Sequence, residues 1–64
     1  MHVYIERSDE HKELSFSGSA KNLCKELEVN PQTVLILRND ELVTEDEELV
    51  DEDNIKLITV VSGG

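Results

Sequence analysis

The chain has 64 residues, 38% of them hydrophobic, and carries 15 acidic against 6 basic side chains for a formal net charge of −9. That length supports one small domain with one core, and the single cysteine excludes an internal disulfide framework. An acidic surface repels phosphate backbones, which argues against direct nucleic-acid binding and favours a partner with a basic docking surface.

From His2 to Arg7 the pattern alternates, with Val3 and Ile5 on one face and His2, Tyr4 and Glu6 on the other, which predicts a strand. Ser8-Asp9-Glu10 supplies a turn and Lys12–Phe16 alternates again, so residues 2–16 read as a hairpin. Ser17-Gly18-Ser19 breaks the pattern. Ser19 is the expected N-cap of a helix whose Ala20, Leu23, Cys24 and Leu27 form one apolar stripe at spacing i, i+3, i+4, i+7. Asn30-Pro31 is expected to end it, because proline disfavours the α conformation in the residue before it.

Thr33–Leu37 is a continuous apolar run, the mark of a strand central in its sheet. Arg38–Glu41 forms a turn and Leu42-Val43 a short return strand. Thr44 and Glu47 match a capping box, predicting a helical turn over Glu45–Val50 that tucks Leu49 or Val50 inward. Asp51–Asn54 turns the chain into a last strand, Ile55–Val61.

This order predicts an α+β fold, a mixed sheet wrapped over one helix, as in the β-grasp architecture of ubiquitin and its small relatives. Residues 1–61 form the domain and 62–64 a tail. One helix covers only one sheet face, yet both central strands are apolar on both faces, which leaves an apolar patch on the uncovered side. The alternation leaves open which set faces outward. A docking patch is assigned to Val34, Ile36, Ile58 and Val60, and the competing expectation is that the acidic stretch Glu45–Asp53 folds over part of that face.

The chain reaches Val61-Ser62-Gly63-Gly64 directly after this last apolar strand. Glycines lack a Cβ, so such a tail fits a channel too narrow for side chains, and a terminal carboxylate is a chemical handle once activated. With the β-grasp pattern running into Gly63-Gly64, the whole chain resembles the ubiquitin-like sulfur carriers and the small archaeal ubiquitin-like modifiers. Asn30–Val34, the acidic stretch Glu45–Asp53 and the last four residues look most like the carriers for tRNA thiolation and the archaeal modifiers.

The resemblance implies a protein cosubstrate with no catalytic residues and no bound cofactor. A ubiquitin-activating-type enzyme would use ATP and Mg²⁺ to adenylate the Gly64 carboxylate, with Val61, Ser62 and Gly63 recognised as the arm. A persulfide would then convert Gly64 to a thiocarboxylate for a downstream thiolase. In the modifier branch the activated carboxyl passes instead to lysines of target proteins as an isopeptide. Two alternatives stay open: a carrier for thiazole synthesis, and a noncovalent ubiquitin-like binding module.

Other residues fall to structural roles. Cys24 lies on the apolar stripe, where a free cysteine behaves as a small hydrophobe. His2 and His11 are expected on the surface of the first hairpin, and no spacing of Cys, His or acidic residues matches a zinc or calcium site. With no signal-peptide pattern and no stretch of transmembrane length, a cytoplasmic monomer is expected.

Overall fold

Residues 1–60 are described in the computed structural model, so the expected domain boundary and the Val61–Gly64 arm lie outside the described residues. The elements are β1 (His2–Ile5), β2 (Glu10–Glu13), β3 (Gly18–Ser19), α1 (Ala20–Glu26), β4 (Val34–Arg38), β5 (Glu41–Val43), β6 (Glu48–Leu49) and β7 (Asn54–Thr59), with single 3₁₀ turns at Glu6–Ser8 and Pro31–Thr33. The main sheet has the order β2-β1-β7-β4-β5, and β3 pairs with β6 beside it. β1 and β7 run parallel while the other pairs are antiparallel. This is the mixed sheet on one helix that the pattern predicts.

Val3 and Ile5 from β1, Ile36 from β4, and Ile55 and Leu57 from β7 meet Ala20, Leu23 and Cys24 of α1 in the core, which Met1 and Leu49 complete. Leu14, Phe16, Leu27, Val29, Val34 and Val43 pack around it. Each fully buried Leu or Ile removes enough apolar surface from water to contribute about 1.5–3 kcal/mol.

Ser19 caps α1 as expected, its Oγ accepting from the Asn22 N–H at 3.2 Å. Two further N–H groups of the first turn, on Ala20 and Lys21, donate to the carbonyls of Glu47 and Glu45 at 2.9 and 2.8 Å. The acidic stretch therefore spends its backbone on α1. In place of the predicted helical turn, the chain makes a tight turn closed by Glu47 N–H to Thr44 C=O, and then the β6 strand. Leu49 is the residue tucked inward and Val50 is exposed.

The helix also ends earlier than Asn30-Pro31. Glu28 adopts a left-handed conformation with φ 59°. Its N–H donates to Lys25 C=O, and that of Val29 to Cys24 C=O at 2.8 Å. These two bonds make a Schellman motif, with Val29 packed on the core as its hydrophobic contact. Asn30 instead caps the next 3₁₀ turn, its Oδ1 accepting from Gln32 N–H at 2.9 Å. Asn39 and Asp40, with φ 52° and 69°, form the two-residue β4–β5 hairpin turn in which both central residues need positive φ.

Asp51 fastens the chain start: its Oδ1 accepts from the Phe16 N–H at 2.8 Å and from the Met1 ammonium at 3.4 Å. Those donors, the Phe16 N–H above all, hold its carboxyl below the usual range.

Glu28 is exposed, and a left-handed conformation costs an L-residue roughly 1–2 kcal/mol. Glycine escapes that strain but loses more freedom on folding. Glu28→Gly should therefore raise stability by about 0.5–1 kcal/mol, read as a higher urea midpoint with an unchanged slope.

Candidate functional site

Two backbone hydrogen bonds anchor the end of β7 and the residue after it. Thr59 N–H donates to Glu6 Oε1 at 3.1 Å, and Val60 N–H donates to Thr33 C=O at 3.0 Å. The first side chain comes from the 3₁₀ turn after β1, the second acceptor from the turn after α1. Beside them a groove of about 610 Å³ is lined by Thr33, Val34 and Thr59 together with Arg7, Leu27 and Val29. Thr59 Oγ1 is the buried side-chain oxygen without a hydrogen-bond partner among the described residues.

The register decides which face of the sheet is open. Leu35 pairs with Ile58 and Leu37 with Lys56 across β4–β7, and Leu37 pairs with Leu42 across β4–β5. The face opposite the helix therefore carries Leu35, Leu37, Leu42 and Ile58, and Val60 follows Ile58 at the same parity. Leu35, Leu42 and Val60 are 43%, 60% and 49% exposed.

Two of the four expected docking residues stand corrected. Ile36 is 4% exposed and sits in the core opposite Leu57, and Val34 is half-buried against the same core. Both belong to the helix-facing parity of β4, so Leu35 and Leu37 take their places on the open face. Ile58 and Val60 lie on the outer side. Leu42 joins Leu35 and Leu37 on this face, outside the expected set. The acidic stretch does not cover this face; it closes the core on the helix side through β6 and Leu49.

The acidic stretch is held by its own partners. Arg38 Nη1 donates to Glu47 Oε2 at 2.9 Å and to the Glu48 carbonyl at 3.2 Å. Asp53, 7% exposed, accepts from the Val50 N–H at 2.9 Å and Asn39 Nδ2 at 3.1 Å. Among the described residues no group of three or more His, Cys, Asp or Glu side chains is arranged to hold a metal ion.

On the outer face of β1 and β2, His2 Nδ1 lies 2.6 Å from Glu13 Oε1 and His2 Nε2 lies 3.1 Å from His11 Nδ1. Tyr4 donates its hydroxyl proton to Asp9 Oδ1 at 2.8 Å. That bond, with burial and the charges of Asp9 and Glu6, raises the phenol above its ordinary value. Cys24 is fully buried. Burial, followed by the charge of Glu45, pushes its thiol up to about 11, so it is no nucleophile at neutral pH.

The sheet order, the parallel pairing of first and last strands, and the single helix define a ubiquitin-like β-grasp protein. Proteins that carry sulfur on this scaffold are carriers and substrates rather than enzymes. The chain belongs to the ThiS family, which matches residues 3–64. It is also 35% identical over 60 residues to the sulfur carrier protein TtuB of Thermus thermophilus, a match covering 91% of this chain and 92% of that protein.

Ile36→Ala should cost about 2–4 kcal/mol, the range for truncating a buried aliphatic side chain, whereas Leu42→Ala should stay within about 0.5 kcal/mol. Parallel urea melts give both numbers.

Cys24 makes a pH prediction. Unfolding restores the thiol to its ordinary value near 9, so above that pH the unfolded chain releases a proton that the folded one keeps until about 11. Fewer protons bound in the unfolded state means that stability falls as pH rises through this window. Cys24→Ala should flatten that decline in melts from pH 8 to 11, and native Cys24 should resist a thiol reagent that reacts at once in urea.

Proposed function

We propose that this protein is the sulfur carrier of a thiolation pathway, with tRNA as the ultimate acceptor. Its similarity to a sulfur carrier protein over nine-tenths of both chains carries the reading, and the Gly63-Gly64 ending supports it. The Gly64 carboxylate attacks the α-phosphorus of ATP in a ubiquitin-activating-type enzyme. Mg²⁺-bound pyrophosphate leaves, and an acyl-adenylate results. The terminal sulfur of a persulfide displaces AMP, and a thiol cleaves the S–S bond to leave the thiocarboxylate. A downstream thiolase, which holds the RNA, takes that sulfur. When a lysine amine of a target protein displaces AMP instead, the product is an isopeptide-linked conjugate.

The carrier's own part is to be held and to deliver. Leu35, Ile58 and Val60 offer an apolar contact on the sheet face near the end of β7, and Leu42 extends that face onto β5, so a docked body places the arm at the adenylating site. The net charge of −9 speeds encounter with a basic partner surface. Val61 and Ser62 span the gap, and the glycines enter where a side chain would collide.

Pyrophosphate exchange with the matched activating enzyme is the direct test. Gly63→Val should abolish exchange while the melting temperature stays unchanged; unimpaired exchange would overturn the reading. Leu42→Ser should weaken the complex about tenfold, roughly 1.4 kcal/mol, with normal folding. The intact mass of protein from its own cells should include a fraction heavier by one oxygen-to-sulfur exchange, localised to Gly64.

A further inference from the structure

We propose that His2 and His11 form a two-imidazole binding site for a borderline divalent transition metal ion, Zn²⁺ or Ni²⁺, on the outer face of the β1–β2 hairpin. His2 stands opposite Glu13 and His11 opposite Tyr4, so the two histidines are diagonal neighbours on one face. Their facing nitrogens, His2 Nε2 and His11 Nδ1, are 3.1 Å apart. Two ligand nitrogens each about 2.05 Å from a shared ion lie about 2.9 Å apart at a right angle and about 3.3 Å apart at the tetrahedral angle. The observed spacing falls between these, so the pair is set at the separation of adjacent ligands.

Two neighbours hold that geometry. The Glu13 carboxylate can only accept, so His2 Nδ1 carries a proton and donates it at 2.6 Å. That fixes the ring with Nε2 turned towards His11, the carboxylate–histidine arrangement that orients metal-binding imidazoles. The Tyr4 ring packs on His11 with centroids 4.6 Å apart and limits its swing. In the metal-free state one proton bridges the two facing nitrogens. Metal binding replaces it: that proton leaves to solvent, and His11 takes one up at Nε2, so both rings end neutral with a lone pair on each facing nitrogen. Water completes the coordination. Imidazole nitrogen selects such ions over Mg²⁺ and Ca²⁺, which prefer oxygen. Glu13 is a positioning residue and His2 and His11 are the ligands.

The test uses the ¹⁵N-labelled full chain. NiCl₂ should broaden amide signals around His2, Tyr4, His11 and Glu13, CaCl₂ should leave those signals in place, and calorimetry with ZnCl₂ should give one site. His11→Ala should weaken Zn²⁺ binding at least tenfold and Glu13→Gln several-fold, each with an otherwise native spectrum, since His11 and Glu13 are exposed. Broadening centred on residues 45–53 would assign the ions to carboxylates and overturn the proposal. Equal affinity in His11→Ala would also overturn it, because a chelate through the Met1 amine and His2 does not need His11.

Discussion

A seven-residue helix can shield only one face of a five-stranded sheet, and the rest of this molecule follows from that limit. The core lies on the shielded side, where Leu23 and Cys24 are buried in one cluster with Val3, Ile55 and Leu57. Its ends are stopped by pieces too short to be elements in a larger protein: β3 with β6 at the helix start, and the Schellman turn with Val29 at the helix finish. The other face is left to solvent, apolar across β4, β5 and β7 and polar across β1 and β2. One side of the sheet is thus buried and the other keeps an exposed apolar surface.

The acidic surface raises a second problem, since nine surplus negative charges repel one another. The fold answers it locally. Arg38 extends from the end of β4 to Glu47, and Asp53 receives a backbone and an amide N–H, with Arg38 Nε 3.9 Å away. The Arg38–Glu47 pair is partly exposed and by itself worth at most about 1 kcal/mol. The hydrogen bonds to buried Asp53 matter more, because an unsatisfied buried carboxylate is costly. Carbonyls of the same loop cap α1, so the most charged segment of the chain also anchors its one helix.

Most of the architecture was legible in the residues. Strand alternation, the Ser19 cap and the Ala20–Leu23–Cys24–Leu27 stripe are local signals that tertiary structure left intact. The failures share a cause: where a local pattern fits two outcomes, long-range pairing decides. Thr44 and Glu47 match a capping box, but the backbone of this loop is taken by α1 and β3. Asn30-Pro31 signals a stop, but hydrogen bonds to Cys24 and Lys25 had already ended the helix. In β4 both parities are apolar, so no residue in Val34–Leu37 marks the outer face; only the pairing with Lys56 does. Arg38 adds to the ambiguity by sharing the inward parity of Ile36 while reaching the edge of the core with its guanidinium. The arrangement of His2, His11 and Glu13 depends on hairpin register, which the spacing of nine residues between the histidines does not reveal.

The parallel pairing of β1 with β7 has a consequence for how the protein comes into being. The first strand made finds its central neighbour only in the last described strand, and β7 also provides the longer edge of β4. No segment short of β7 can assemble the sheet, so a nascent chain still lacking it exposes β1 and β4 edges with nothing to bind them. Contacts this distant in sequence slow the search for the native state, and half-made sheets with open edges invite association with other chains. Completion of the sheet therefore waits on β7.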